Sequence, residues 1–599
     1  MQRSLQILFT KIQTTKKIPA QWNFIMIKSI HKKGPKKDLK NQRGIFLASI
    51  LYKLFERVLL NRNKENISNC MTEFQCGGRK GMSTLDNIMA LSGIIERNRT
   101  LRRNTYLFFG DARKCFDQLW LKDCLLQLQV GGVQEYDINL LYILNEQAQI
   151  KVMTPLGESN EFSIKEAVKQ GTISGPMLCG VEMDRVNQRP ERLQSPYGPD
   201  YDIAMPGYVD DLAGGGGPEE LTKAIECCKE MELRKVLYNI EKTVYLLIRT
   251  GTEKRIKIEE RMKEGQVPEA NEHQYVGLWI NTEGNLKYHI QELEKKARII
   301  ITELKKIGME SELGAEALRA RLKLYESTVI QAILFNLEGW GGLLSSEVEK
   351  LETIQCQCLK DIFNLPKTTS HLGLLWEVGC WPILERIQYK QLMLYHNIIH
   401  SPDSRLAKRL LFQQKEFQMP RSLQMIVDKI AKDLHLDCSW EQVRKQQKST
   451  FKIMVKEKLG KQVRKRMEIA SRNKTKLRFI NKATFKRREY IDQATSTMAY
   501  QIIKTRLNMQ DLSDNFRSKD TDRKCILCLS EEETTEHVLS CKEIPGESIS
   551  QEWLQDTTNI PIWREIVKRF QIFLEKKQSI LQKEQESSND TSGSSPSSF

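Results

Sequence analysis

Asp210 and Asp211 stand side by side in Met205-Pro206-Gly207-Tyr208-Val209-Asp210-Asp211, with glycines at 214 to 217 behind them. This order predicts a strand, a tight turn bearing the two acids, and a second strand. Adjacent carboxylates at such a tip repel and raise one another's pKa, a cost that a divalent cation removes. Taken alone, the string describes a polar turn better than a metal site. A second segment adds a third acid: Tyr106 to Phe109 is an apolar strand leading through Gly110 to Asp111. A lone strand-end aspartate commonly just forms a turn. With Asp111 on the strand beside the hairpin, however, three carboxylates converge and can hold two Mg2+ ions. Such ions activate an attacking hydroxyl and neutralise the leaving group of an in-line phosphoryl transfer.

A chain of 599 residues divides into about three to five domains at ~100–200 residues each. Hydrophobic residues make 40% and charged residues 28% of it, which excludes a collagenous, disordered or membrane-spanning whole. No window reaches the roughly 18 uncharged apolar residues of a spanning helix, so no membrane partner is expected. Met1 to Lys11 holds only a short apolar run and lacks a cleavage site, so a nuclear or cytoplasmic chain is expected, not a secreted one. Most of the 14 cysteines are scattered, as at Cys70, Cys124, Cys380 and Cys438, and read as reduced buried thiols.

The net charge of +17 is concentrated, because Glu441 to Tyr490 holds 18 Lys/Arg against 4 Asp/Glu. A solvated charged helix interleaves acids with bases, whereas so few acids mark a surface that lies along a phosphate backbone. Phe451, Phe479, Phe485 and Tyr490 lie within this stretch; base stacking is one use for them, and core packing the preferred one.

Residues 1 to 95 mix short apolar runs with basic loops and include an expected helix from Leu47 to Asn61. Between Thr105 and Ile280, β-like runs at Tyr106 to Phe109, Tyr208-Val209, Val244 to Ile248 and Tyr275 to Ile280 alternate with helical stretches. That alternation predicts an α+β domain on a small sheet. After Gly284, apolar residues recur at three- and four-residue steps, as in Ile290, Leu293, Ala297, Ile301 and Leu304, and a second amphipathic run covers Ala315 to Phe335. The chain is expected to be helical from there to about Leu512. Ser587 to Phe599 is Ser-rich and expected to be disordered.

Near the end, Cys525-x2-Cys528-x8-His537-x3-Cys541 forms a second constellation. A CxxC turn offers two thiolates from one knuckle, and a His and Cys four apart can share one side of a helical turn. The set predicts a closed, structural Cys3His site for one Zn2+ ion, in preference to spectator thiols.

Taken in order, these motifs resemble the polymerase region of a non-LTR (LINE-like) retrotransposon reverse transcriptase. Lys32-Lys33-Gly34 with Asn41 to Ile45 is similar to the family's fingers motif, and Gln75 to Ile88 to the next, which contacts template. Asp111 to Asp117 resembles the first catalytic motif, Gln170-Gly171 with Ser174 and Pro176 the next, and YVDD the catalytic hairpin. Asn239 to Thr243 and Tyr275 to Gly277 resemble the two that follow, and His371 to Ile387 also looks family-like. Gln42 and Gly44 beside Arg43, Gly78, and the split Ser174-Gly175-Pro176 depart from the family pattern.

The resemblance implies an α+β right-hand polymerase with a small antiparallel sheet, followed by an all-α thumb and linker and a zinc knuckle. Its segments would be fingers at 1–95, palm at 96–285, helical thumb at 286–400, basic nucleic-acid-binding linker at 401–515, CCHC knuckle at 516–545, and a C-terminal helix with tail at 546–599. Asp111, Asp210 and Asp211 would be the catalytic acids, binding Mg2+ with the carbonyl of Ala112. Lys33 and Arg43 would neutralise triphosphate oxygens, with Lys32 an equal alternative to Lys33. Phe116 would exclude a 2′-hydroxyl, or else be an ordinary core phenylalanine. Gln170 and Gly171 would shape the nucleotide pocket, and Lys242 would meet the phosphates or remain a surface lysine. Tyr275 to Gly277 would grip the primer end.

The implied activity is RNA-directed DNA polymerisation on an RNA template from a DNA primer or target with dNTP substrates. No nuclease acid cluster is found, so the sequence reads as an incomplete element protein, with a nuclease acting in trans as a further expected partner. The rival is a catalytically impaired or domesticated nucleic-acid-binding remnant. Group II intron-like and telomerase-like polymerases share the same palm chemistry.

Overall fold

The computed structural model describes residues 2–32, 34–35, 37–154, 157–164, 167–188, 205–306, 314–480, 485–515 and 523–591. The chain forms two compact units. The first joins Met1–His289, Asn336–Leu343 and Met393–Lys445; the second joins Ile290–Phe335, Leu344–Leu392 and Gln446–Phe599.

The first unit carries every strand of the described residues. β1 (Phe24–His31), β2 (Gln42–Leu47), β4 (Gln149–Thr154), β5 (Gly157–Glu158) and β6 (Phe162–Ser163) form one sheet, in which β1 pairs antiparallel with β2 and parallel with β4. A second, wholly antiparallel sheet has the order β7-β8-β3-β9, from β3 (Thr105–Asp111), β7 (Gly207–Tyr208), β8 (Asp211–Gly216) and β9 (Val244–Ile248). Two small hairpins, β10–β11 (Arg261–Met262, Gly265–Gln266) and β12–β13 (Glu272–Tyr275, Leu278–Asn281), complete the strands.

In β3, Tyr106, Leu107, Phe108 and Phe109 are all at most 2% exposed. An unalternating apolar run of this kind needs cover on both faces, and the helices Thr84–Thr100 and Pro218–Leu233 pack against the sheet. The first of these begins with a capping box at Ser83 and Asp86. Arg405 holds the same Asp86 through a buried two-pronged pair at 2.7 and 2.8 Å, fixing the 393–445 segment onto that helix.

Three expectations from the sequence are corrected by the fold. The helix expected over Leu47 to Asn61 is Ile50–Arg62, because Leu47 completes β2 and the Ser49 hydroxyl caps the helix by accepting from Tyr52 N–H. Val209 lies outside β7, in a turn at φ +63°. Tyr275 to Ile280 is two strands rather than one, since Val276 and Gly277 both turn at positive φ.

The second unit is helical, as expected, with one isolated bridge at Lys524–Glu532. The 315–335 run is interrupted by a π-turn at Tyr325–Val329. The basic stretch is organised by Lys448–Ser471, whose Phe451, Val455, Leu459, Val463 and Met467 are buried at steps of four. The remaining face of this helix carries the Lys and Arg side chains outward. Phe479 and Tyr490 are also buried, and Phe485 packs edge-on against Trp376, so the aromatics serve the core. The last helix spans Ile560–Thr591, so the Ser-rich tail begins inside it; residues 592–599 lie outside the described residues. No helix of the described residues is long and apolar enough to cross a membrane.

Candidate active site and metal centre

β3 and β8 pair so that Asp111 faces Asp211 directly, while Asp211 also pairs with Tyr208 across the hairpin. The expected convergence on neighbouring strands is therefore a matter of backbone register, and Asp210 sits on the turn between β7 and β8. The turn is costly: Val209 is β-branched and left-handed, a conformation worth roughly 1–3 kcal/mol of strain. Burial pushes the Asp210 carboxyl up, with Asp111 adding to it, against the opposing pull of Arg43 and Lys32. Crowding by protein, then Asp210 and Asp111, push Asp211 up to about 6, although the residue as a whole is exposed.

Cations from the first sheet surround the acids. Lys32 follows β1 and Arg43 lies on β2, opposite Ile30. Burial lowers the Lys32 ammonium, followed by the neighbouring charges of Arg43 and Lys242, while Asp111 and Asp210 raise it. Lys32, Arg43 and Lys242 thus share one electrostatic neighbourhood with the aspartates. Lys242 Nζ stands 3.3 Å from Asp111 Oδ2. Lys33 lies outside the described residues.

The other expected site residues line the same region. Ala112 follows Asp111 and bridges to Tyr238; Phe116 is partly buried on the short helix Cys115–Gln118, against the hydrophobic core. Gln170 accepts Phe46 N–H through its carbonyl at 2.8 Å. Gly171, at φ +111°, lies so close to β2 that a Cβ would stand 2.6 Å from the Phe46 carbonyl oxygen. Tyr275 is buried, and its hydroxyl donates to the Pro206 carbonyl at 2.6 Å and accepts from Asn87 at 2.8 Å. Its hydroxyl therefore braces the base of the hairpin.

His273 carried no sequence signal, and Gln75 stood out only as the first residue of the motif that resembles a template contact. His273 stacks on Phe109 at 4.6 Å, and burial lowers its imidazole to about 4 against the pull of Asp111, leaving it neutral at pH 7. Gln75 reaches the hairpin itself: Val209 N–H donates to its Oε1 at 2.9 Å, and its Nε2 donates to the Val209 carbonyl at 3.1 Å.

The donor chemistry of the three carboxylates fits a divalent cation, which would remove both the burial cost and the mutual repulsion. Among the described residues, the Cys525, Cys528, His537 and Cys541 ligand atoms form a second group, all within 4.8 Å of one another.

The Cys/His group is built locally. Cys525 and Cys528 come from a knuckle closed by Leu529 N–H to the Cys525 carbonyl at 2.8 Å, with Leu529 left-handed. His537 lies in the helix Thr535–Ser540, and Cys541, its C-cap, donates its N–H to the His537 carbonyl at 2.7 Å. His537 Nε2 is 3.3 Å from Cys528 Sγ, and its Nδ1 is held by Glu531 at 2.9 Å. That carboxylate fixes the ring as second partners of metal-bound histidines do. Burial works upward on the Cys528 thiol, but hydrogen bonds from the Ser530 hydroxyl and from the Ser530 and Glu531 backbone bring it down to about 6. A thiolate is thus ready at neutral pH, and four N and S donors at this spacing fit Zn2+. Arg569, from the last helix, donates to the Cys541 carbonyl at 3.0 Å and anchors the knuckle.

The family described as reverse transcriptase (RNA-dependent DNA polymerase) matches residues 30–280. The chain is similar to the "Probable RNA-directed DNA polymerase from transposon BS" of Drosophila melanogaster, 21% identical over 424 residues, covering 68% of this chain and 45% of that protein. It is also similar to the "Retrovirus-related Pol polyprotein from type-1 retrotransposable element R2" of Popillia japonica, 26% identical over 170 residues, covering 28% and 24%. The chain thus spans less than half the length of either relative. Among solved structures, apo telomerase from Candida tropicalis is similar at a TM-score of 0.34 and 14% identity, covering 75% of this chain and 74% of that one, too distant to carry an argument. The match, the antiparallel sheet and the aspartates on its adjacent strands lie in the same stretch: residues 30–280 are a domain of the reverse transcriptase family of RNA-dependent DNA polymerases.

Proposed function

We propose that this chain is the RNA-directed DNA polymerase of a non-LTR retrotransposon, extending a DNA primer or nicked target along an RNA template with dNTPs. The observation that carries the reading is the register of β3 and β8, which sets Asp111 opposite Asp211 with Asp210 on the adjoining turn. In the reaction, a primer 3′-hydroxyl attacks the dNTP α-phosphorus and pyrophosphate leaves, so catalysis is mainly positioning and charge stabilisation. Asp111, Asp210, Asp211 and the Ala112 carbonyl would hold two Mg2+ ions, which lower the hydroxyl's pKa and neutralise charge on the leaving group. Lys32 and Arg43 bind the triphosphate oxygens, Arg43 through its planar fork. Lys242, paired with Asp111, is within reach of the same phosphates when the pair opens. Phe116 bars a 2′-hydroxyl, while Gln170 and Gly171 shape the pocket against β2.

The domain scheme runs from fingers (1–95) and palm (96–285) through thumb (286–400) and basic linker (401–515) to the knuckle (516–545). The outward Lys/Arg face of Lys448–Ser471 lies along the phosphates of template or target. Zn2+ on Cys525, Cys528, His537 and Cys541 holds the knuckle closed. The work belongs to the nucleus or cytoplasm, and a nuclease acting in trans is a partner that such an extension reaction can use.

Primer extension on a primed RNA with dNTPs and Mg2+, wild type against an Asp210→Ala, Asp211→Ala double variant, tests the reading. Extension by the wild type alone is expected. If neither extends while both bind RNA in a salt-dependent way, the polymerase reading fails and the chain is a binding remnant.

A further inference from the structure

The turn that presents Asp210 and Asp211 does not hold itself. Val209 sits at φ +63°, where a β-branched side chain crowds the backbone, so an isolated chain would relax away from it. What holds it comes from a segment more than 130 residues earlier. The Gln75 side chain is fully buried, and its carboxamide grips both backbone groups of Val209. The same Oε1 accepts from Gly77 N–H at 3.0 Å, which locks the amide in one orientation. Alongside, Cys76 N–H donates to the Gly207 carbonyl and Gly207 N–H to the Phe74 carbonyl, both at 2.9 Å. The close approach requires Gly77, where a Cβ would stand 2.3 Å from Val209 N.

Resting on the polymerase reading, we propose that Gln75 is a positioning residue of nucleotidyl transfer: its carboxamide holds Val209 left-handed and so fixes where the Asp210 and Asp211 carboxylates stand. The task needs a donor and an acceptor on two adjacent atoms at the end of one side chain, to meet the N–H and the C=O of a single residue, and a carboxamide supplies them without charge. Asn is one methylene short, and Glu would lose the donor and add an anion beside three others.

The test is Gln75→Met in the full chain, which keeps volume and loses the hydrogen bonds. Primer extension is expected to show kcat falling about 100-fold, the cost of a misplacement near 1 Å. KM for dNTP and affinity for primer–template should stay within about threefold, because the Gln75 side chain is fully buried and spent on the backbone of Val209 and Gly77. A readout independent of activity is hydrogen exchange of the 205–212 peptide, expected to quicken at Val209 while the β3 amides keep their protection. Val209→Gly supplies the second arm, since glycine adopts this φ without strain. In the Val209→Gly chain, Gln75→Met should cost under about tenfold, a coupling that a residue serving only general stability would not show. Should Gln75→Met not fold, Gln75→Asn takes its place with the same expected outcomes. Unchanged kcat and unchanged Val209 exchange in an active protein would overturn the proposal. A wild type unable to extend primers fails instead at the polymerase reading, and is recognised because the Asp210→Ala, Asp211→Ala variant then matches it.

Discussion

Glu377 is a fully buried carboxylate of the second unit, and its replacement by Leu has a magnitude that follows from its surroundings. Its two oxygens accept from Arg506 Nε and Nη2, both at 2.9 Å, and from the Tyr490 hydroxyl at 2.7 Å, with Arg488 3.9 Å away. Glu377 and Arg506 are both 0% exposed. Burial alone pushes such a carboxyl up, yet the charge and hydrogen bonds of Arg506, then Arg488 and Tyr490, hold it below the usual range. Its contribution is therefore complete at neutral pH and is lost as the pH falls through the lowered folded value. Glu377→Leu leaves the Arg506 guanidinium buried with no counter-charge, its Nη1 still held by the Leu554 carbonyl. Breaking one side of a buried pair costs about 3–5 kcal/mol. Hydrogen exchange of the 371–387 and 496–510 peptides reads this locally, without assuming that a chain of two units unfolds in one step. Exchange should quicken by roughly 100-fold or more. Glu377→Leu with Arg506→Met removes both charges and should recover most of the loss. A single variant whose exchange changes less than about fivefold would refute the idea that the pair must be kept whole.

Glu385 behaves oppositely, since burial pushes it up to about 7 despite Arg466 at 2.7 Å, and its Oε1 has no hydrogen-bond partner among the described residues. The folded state binds its proton more tightly than the unfolded chain, so stability falls as the pH rises from about 4.5 to 7, by roughly 3 kcal/mol. Glu385→Gln should flatten the fall in melting temperature over that window, and parallel curves would count against the assignment. Lys452, Arg464 and Lys465 are exposed on the basic helix; changing all three to Gln should lower the slope of log affinity against log salt for RNA or DNA by about 2 to 3. An unchanged slope would remove that face from the binding surface. One zinc per chain is expected by elemental analysis, and chelation should abolish exchange protection over 525–541. Protein that is metal-free yet fully protected there would end the zinc assignment.

The features written in short strings are legible in the amino-acid sequence itself. Cys525, Cys528, His537 and Cys541 fall within a short segment, so their spacing alone brings them to one knuckle. The apolar run leading to Asp111 and the acids of the hairpin name their own strands, and the period-four apolar stripe of Lys448–Ser471 names a helix with one buried face. What the sequence hides depends on pairs far apart in the chain. That Lys32 shares the field of Asp111 and Asp210 depends on where β1 ends beside them. The bond from the Tyr275 hydroxyl to the Pro206 carbonyl joins residues 69 apart in sequence, and no local pattern announces it.

The sequence by itself determined which residues carry the chemistry, because acids, thiols and an imidazole keep their reactivity wherever they stand, and short-range spacing already constrains which can meet. Tertiary structure decided how they are held. The facing of Asp111 and Asp211 is set by the register of β3 and β8, and Val209 is held left-handed by Gln75. Surroundings decide the charges, with burial keeping His273 neutral and, helped by the neighbouring aspartates, pushing Asp211 up to about 6. Each depends on distances across the folded chain, and a one-residue slip in strand register would change all of them while leaving every motif intact.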